Sequence, residues 1–251
     1  MTQLVVALFL GGFGAGLVDS IAGGGGLISL PVLLAADLPE ALAIGTNKGQ
    51  AVFGAVSSAT SFWRRGAIDR GRAPVAFSFG ALGSLAGAAL LSLMKPEALK
   101  PVVMVLLVVA AVLVMVPKRE RQGAEATLRH GVLLLALVAF GLGAYDGFFG
   151  PGVGTLLIVA FTWLFGDSLT RASANAKVVN LASNLAAFAL FAARGKIIWT
   201  FALPMAAGNI LGALVGSRLA LRRGDRFVRV VVLLVVTGVV IKLGVGLLGR
   251  R

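Results

Sequence analysis

The chain has 251 residues, of which 58% are hydrophobic and only 13% charged, and its mean hydropathy is +0.96. Ordinary globular domains carry about 25% charged residues, so a soluble fold of this length would lack the polar surface it needs in water. The net charge of +13 sits in short loops between apolar runs with no aromatic stripe beside it, which fits the positive-inside bias of membrane proteins rather than a nucleic-acid groove.

The apolar runs follow one another in a recurring order. The first half holds Leu4–Val18, a short Leu27–Ala36, Ala41–Trp63, Ala73–Met94 and Pro101–Val116. Met1-Thr2-Gln3 carries no positive charge of a cleaved signal, so the first run is expected to stay in the protein. A charged linker, Pro117–His130, precedes the second half: Gly131–Tyr145, Gly154–Phe165, Ser173–Ala193, Ile197–Ala220 and Phe227–Leu248. Phe13-Gly14 to Asp19 aligns with Phe140-Gly141 to Asp146 at an offset of 127. Lys48 aligns with Lys177, Arg65-Gly66 with Arg194-Gly195, and Gly83/Gly87 with Gly212/Gly216, all at 129. Spaced Asp, Lys and Gly in one order indicate an internal duplication of the kind found in transporter halves.

Loop charge sets the expected orientation. If the first two runs of each half use an even number of crossings, four basic loops fall on one side, including Arg64, Arg65, Arg70, Arg72, Arg171, Arg222, Arg223 and Arg226. That side is then cytoplasmic. The fold expected is all-α: a polytopic membrane bundle of two inverted repeats, each with a Gly-rich broken or re-entrant helix pair plus three full spans. Residues 1–116 form the first repeat, 117–130 a cytoplasmic linker and 131–251 the second repeat.

The Gly-rich junctions carry the chemistry. A 15-residue apolar run rises about 22 Å, short of the ~30 Å hydrocarbon core, so Leu4–Val18 and its partner run are expected to be broken or re-entrant. Backbone amides of Gly23, Gly24, Gly25, Gly26, Gly150 and Gly152 at such breaks suit an anion; close helix packing is the other reading. Asp19 and Asp146 are ionisable groups inside membrane segments. They either couple transport to protons or hold the breaks in shape. The third runs open with Gly45-Thr46-Asn47-Lys48 and Ala174-Asn175-Ala176-Lys177, with Asn180 and Asn184 along the same face. Thr46, Asn47, Lys48, Asn175, Lys177 and Asn180 together suit a small oxyanion. Against that stand a lysine that snorkels from a helix start and asparagines that join helices. Gly83, Gly87, Gly208, Gly212 and Gly216 recur at a packing spacing, and Trp63 and Trp199 are expected at the interface.

Cysteine is absent and the one histidine, His130, lies in the charged linker. Disulfides, Cys/His metal sites and His-based catalysis lose their usual groups, and no P-loop or nucleophile elbow is present. An enzyme would have only an Asp19–Asp146 dyad to work with, so no enzyme activity, cofactor or metal is expected.

The stretches Asp19-Ser20-Ile21-Ala22-Gly23-Gly24-Gly25-Gly26-Leu27-Ile28-Ser29-Leu30-Pro31, Ala43-Ile44-Gly45-Thr46-Asn47-Lys48, Arg65-Gly66-Ala67-Ile68 and Gly195-Lys196-Ile197-Ile198-Trp199 resemble the sulfite exporter TauE/SafE family, also called the toluene sulfonate uptake permease family. The resemblance covers both halves. It implies a bacterial or archaeal inner-membrane permease for sulfite, sulfonates or related sulfur compounds. The second junction departs from the first, with Gly147 for Ser20 and Pro151 for Gly24, which makes the two half-sites unequal. The function expected is a secondary transporter of small anions such as sulfite or sulfoacetate. It would work by alternating access; a passive anion channel, or a permease for another small organic anion, is the alternative. Expected partners are the anion and membrane lipids, with proton coupling and a homodimer left open and no nucleic acid.

Overall fold

The computed structural model describes residues 2–95 and 128–248. The run Pro101–Val116 and most of the linker lie outside them. Eight helices, and no strand, make up the described residues: α1 (Thr2–Ala22), α2 (Gly26–Leu34), α3 (Glu40–Arg64), α4 (Ala73–Leu93), α5 (Leu128–Phe148), α6 (Val153–Phe165), α7 (Leu169–Ala193) and α8 (Trp199–Leu248). Gly224, at φ 67° and ψ −163°, breaks α8 between its two apolar runs. Among the described residues, five stretches are long and apolar enough to cross a membrane: Thr2–Ala22, Ala73–Leu93, Gly131–Phe148, Leu169–Ala193 and Trp199–Val231.

Two expectations are corrected. α1 has 21 residues and rises about 31 Å, enough to span. Its hydropathy fades at Asp19, but the helix continues through Ser20-Ile21-Ala22 because protein groups hold its last carbonyls. Only the second arms are short, with 9 residues in α2 and 13 in α6. In addition, α3 and α7 begin at Glu40 and Leu169, so Lys48 and Lys177 lie about 12 Å inside helices of about 37 Å. Neither lysine reaches an interface from a helix start; both are buried.

Polar and charged side chains lie inside the bundle among its apolar core, while large apolar side chains face outward. Thr46, Asn47, Lys48, Gln50, Asp146, Asn180, Asn184 and Asn209 are buried, whereas Leu82, Leu90, Leu133, Leu137 and Leu203 are exposed. That distribution is stable only with lipid as the surrounding solvent.

Contacts recur in pairs. Gly83 meets Phe140 and Ala144 across α4 and α5, and Gly212, 129 residues on, meets Phe13 and Leu17 across α8 and α1. Each fourth helix of one half thus packs on the first helix of the other, with glycine allowing backbone to approach backbone. Pairs such as Gly12–Met205, Gly16–Asn209, Gly54–Asn209 and Ser61–Ser217 rise together in number, so α1, α3 and the first part of α8 run one way. Gly83–Phe140, Gly87–Ala144, Gly80–Val179 and Ser84–Ser183 show that α4, α5 and α7 run together. α3 and α7 run oppositely: Gly45 near the start of α3 meets Lys196 just past α7, and Asn175 near the start of α7 meets Asp69 just past α3.

Three of the basic loops gather at one end of the bundle. The Arg72 guanidinium donates to Asp69 at 2.9 Å and to both oxygens of Asp167 at 2.7 and 3.0 Å. Burial works against the Asp69 carboxylate, but the amide and guanidinium of Arg72 and the Gly71 amide outweigh it and hold this carboxyl below its ordinary value. Burial likewise opposes the Arg72 charge, and Asp167 and Asp69 more than offset it. Beside them, Asp225 accepts from the amides of Leu169 and Thr170 and caps α7.

The glycine contacts separate packing from mere tolerance. A Cβ at Gly87 or Gly212 runs into backbone of the facing helix, whereas Gly14 and Gly141 have nothing within 4 Å. Gly87→Ala and Gly212→Ala are expected to destabilise by about 1–3 kcal/mol. Gly14→Ala and Gly141→Ala are expected to be neutral or stabilising by up to about 1 kcal/mol. Unfolding midpoints in detergent check this, and equal effects at all four positions would contradict the packing scheme.

Candidate functional site

The two junctions meet back to back. Gly23 turns the chain at φ 75° and Gly150 at φ 96°, a backbone region where side chains are strained. A Cβ on Gly23 would strike the backbone of Gly154, and one on Gly154 the backbone of Gly23. The last carbonyls of α1 have no partner within the helix and are met from the second half. Thr155 Oγ1 donates to the Ala22 carbonyl at 2.7 Å. Ser173 Oγ lies 3.2 and 3.1 Å from those of Ser20 and Ile21, and Lys177 Nζ donates to that of Asp19 at 2.5 Å.

Four charges at the junctions and on the helices beside them pair crosswise between the halves. Lys48 Nζ lies 2.5 Å from Asp146 Oδ1, and Lys177 Nζ lies 2.7 Å from Asp19 Oδ2. The lysine of each half therefore takes the aspartate of the other. Three of the four side chains are at most 3% exposed, and Asp19 is 23% exposed. Charges this deep are tolerated only as pairs with further hydrogen bonds. Ser183 Oγ donates to Asp146 Oδ2, and the Gly25 amide points at Asp19 Oδ1 from 3.4 Å.

Between the pairs lies a cavity of about 30 Å³, with room for on the order of two waters. Of the residues singled out from sequence, Asp19, Gly23, Gly25, Gly26, Asn47, Lys48, Asp146, Gly150, Asn180 and Asn184 line it. The others have different neighbours. Lys177 stands behind Asp19, and Thr46 Oγ1 accepts from the Ile198 amide at 3.0 Å. Asn175 accepts from the Asp69 amide and donates to Asp167 at 2.7 Å. Gly152 is the left-handed N-cap of α6, and the Gly24 carbonyl accepts from Leu27. The contacts of Thr46 and Asn175 are equivalent under the 129-residue offset, one at each end of the bundle.

Sequence reasoning passed over Ser29, Gln50, Ser183 and Asn209. Ser29 Oγ donates to Asn47 Oδ1 at 2.6 Å, Gln50 Nε2 to the same oxygen at 2.9 Å, and Asn209 Nδ2 to Gln50 Oε1 at 2.5 Å. This chain of amides joins α2, α3 and α8 along one wall. Asn209 sits beside Gly208 in an otherwise apolar helix face, and an isolated amide there was the available signal. Among the described residues no three His, Cys, Asp or Glu side chains gather to hold a metal. Asn209→Leu keeps the branched shape and number of side-chain heavy atoms but leaves the buried Gln50 oxygen without its donor, so a loss of about 1–3 kcal/mol is expected. An unchanged unfolding midpoint would contradict the amide chain.

Comparison with known proteins agrees with this architecture. Residues 8–243 match the sulfite exporter TauE/SafE family. The chain is 38% identical to a probable membrane transporter protein of Haemophilus influenzae, over 92% of this chain and 91% of that protein. It is 36% identical to the probable membrane transporter protein YfcA of Escherichia coli K12, over 92% and 86%. It is also 36% identical to the probable membrane transporter protein ORF9 of a Sinorhizobium species, over 96% and 92%. No solved structure matches the chain. Across nearly its whole length, the chain belongs to the TauE/SafE family of membrane transporters.

Proposed function

We propose that the protein is a secondary transporter of small anions, sulfur oxyanions or organosulfonates such as sulfite or sulfoacetate, in the inner membrane. The observation that carries this reading is the central cavity. Lys48 and the amide side chains of Asn47, Gln50, Asn180, Asn184 and Asn209 line it, with Gly25 and Gly26 at the N-terminal end of α2. Ammonium, amide N–H and a helix N-terminus are donors matched to an oxyanion.

The same features favour alternating access between two inverted repeats. α3 and α7 run in opposite directions, the packing contacts recur at offsets of 127–129, and the junctions cross beside the cavity. An oxyanion of four or more heavy atoms needs more room than on the order of two waters, so binding requires the helices around the junctions to part. The end where the Arg72 cluster gathers the basic loops faces the cytoplasm under the positive-inside rule.

The test is thermal stability of purified protein against sulfite, sulfate, thiosulfate, sulfoacetate and carboxylate controls, because a ligand of the native state raises its midpoint. One or more sulfur anions are expected to raise it, and Lys48→Met is expected to abolish both the shift and transport. A shift that survives Lys48→Met, or none with any anion, overturns the assignment.

A further inference from the structure

The cavity carries two Lys–Asp pairs that are equivalent by position but not by surroundings. Lys177 Nζ donates to the Asp19 main-chain carbonyl as well as to the Asp19 carboxylate, and it does not line the cavity. Loss of the Asp19 charge would leave it anchored on that carbonyl. The donors to Asp19 are an ammonium and the Gly25 amide, neither of which can turn round and accept a proton. The Lys177–Asp19 pair pins the end of α1.

The other pair differs at each point. Among the described residues the hydrogen bond of Lys48 Nζ is to Asp146 Oδ1 alone, and both side chains line the cavity. Gly150 leaves them uncovered: a Cβ there would lie 3.0 Å from both Asp146 Oδ1 and Lys48 Nζ. The second oxygen of Asp146 accepts from Ser183 Oγ, and that hydroxyl has another acceptor 3.0 Å away in the Asn180 carbonyl. A hydroxyl donates one proton and accepts on its lone pairs. Ser183 can therefore turn its proton to Asn180 and accept from a protonated Asp146, leaving every group satisfied in either state.

Charge balance calls for one proton, and the Ser183 hydroxyl places it on Asp146. Lys48, Lys177, Asp19 and Asp146 sum to zero, and the other cavity residues are neutral. A bound monoanion would leave a net negative charge buried, which is costly. One proton on Asp146 restores neutrality and frees the Lys48 ammonium for the anion. Resting on the anion-transport reading, we propose that Asp146 is the proton site, that Lys48 passes from Asp146 to the anion when Asp146 is protonated, and that the protein moves one proton with each monoanion. The charged groups around Asp146 are Lys48 from α3 and, across the cavity, Asp19 from α1 with Lys177 behind it. Its other neighbours, Ser183 and Asn180 from α7 and Gly150 at the α5–α6 junction, are uncharged.

The experiment measures anion affinity between about pH 5 and pH 8 with methanesulfonate and thiosulfate, which do not titrate in that range, and with sulfite as a third probe. Since the bound state holds the extra proton, affinity falls as pH rises. For methanesulfonate, Kd is expected to rise about tenfold per pH unit in the wild type and to become flat in Asp146→Asn. Should Asp146→Asn not fold, proton uptake by the wild type in weakly buffered solution replaces it, with one proton expected per methanesulfonate bound. Equal affinity at every pH, no proton uptake, or a slope that survives Asp146→Asn overturns the proton site while leaving an anion transporter. Failure of all three anions to bind at any pH overturns the anion reading, and this one with it.

Discussion

The crosswise exchange of charge between the halves is the constraint on which the rest of the structure depends. Four charged side chains inside a membrane protein are too costly to leave unpaired, and here neither Lys48 nor Lys177 pairs with the aspartate of its own half. Lys48 reaches Asp146 and Lys177 reaches Asp19, so neither half can satisfy its charges alone. The glycine contacts follow the same rule, because α4 packs on α5 and α8 on α1. The halves are folded into each other, and the cavity is the space left where their two junctions cross.

Position near that crossing decides what each polar group does. Breaks in helices expose backbone carbonyls and amides that lipid cannot satisfy, and the second half supplies Thr155, Ser173 and Lys177 to the end of α1. At the α5–α6 junction the Tyr145 hydroxyl donates to the Pro151 carbonyl at 2.9 Å. The pairs are equivalent in sequence and unequal in their neighbours. Lys177 is locked onto main chain, while Lys48 faces the cavity through an ion pair that Gly150 leaves open. Under the proposed proton-coupled transport, the Lys177 pair is the fixed copy and the Lys48 pair the one that changes partners.

Much of this was legible in the residues. Repeat offsets, Gly-rich breaks and the shared end of three of the basic loops could be read because apolar length and spaced Gly, Asp and Lys leave a strong pattern. The end of α1 could not be read, since hydropathy stops at Asp19 while the helix is carried on by partners from distant parts of the chain. The start of α7 is hidden as well: Leu169-Thr170-Arg171-Ala172-Ser173 mixes polar residues into the first turn, so apolar length alone starts that run at Ser173 and leaves Lys177 near its start. Asn175 and Thr46 match the anion-site pattern as well as Asn180 does. Only the fold separates them, by placing Asn175 against Asp69 and Asp167, and Thr46 against Ile198. Asn209 and Gln50 meet across 159 positions, a pairing that no local spacing encodes.

The most direct test of the crosswise arrangement is a set of double-mutant cycles on unfolding stability among Lys48, Lys177, Asp19 and Asp146, with Met replacing Lys and Asn replacing Asp. Residues that share an ion pair show coupling of about 0.5–3 kcal/mol, whereas residues without shared partners add. The account predicts such coupling for Lys48 with Asp146 and for Lys177 with Asp19, and near-additivity for Lys48 with Asp19 and for Lys177 with Asp146. Coupling within each half in place of coupling across them would contradict it.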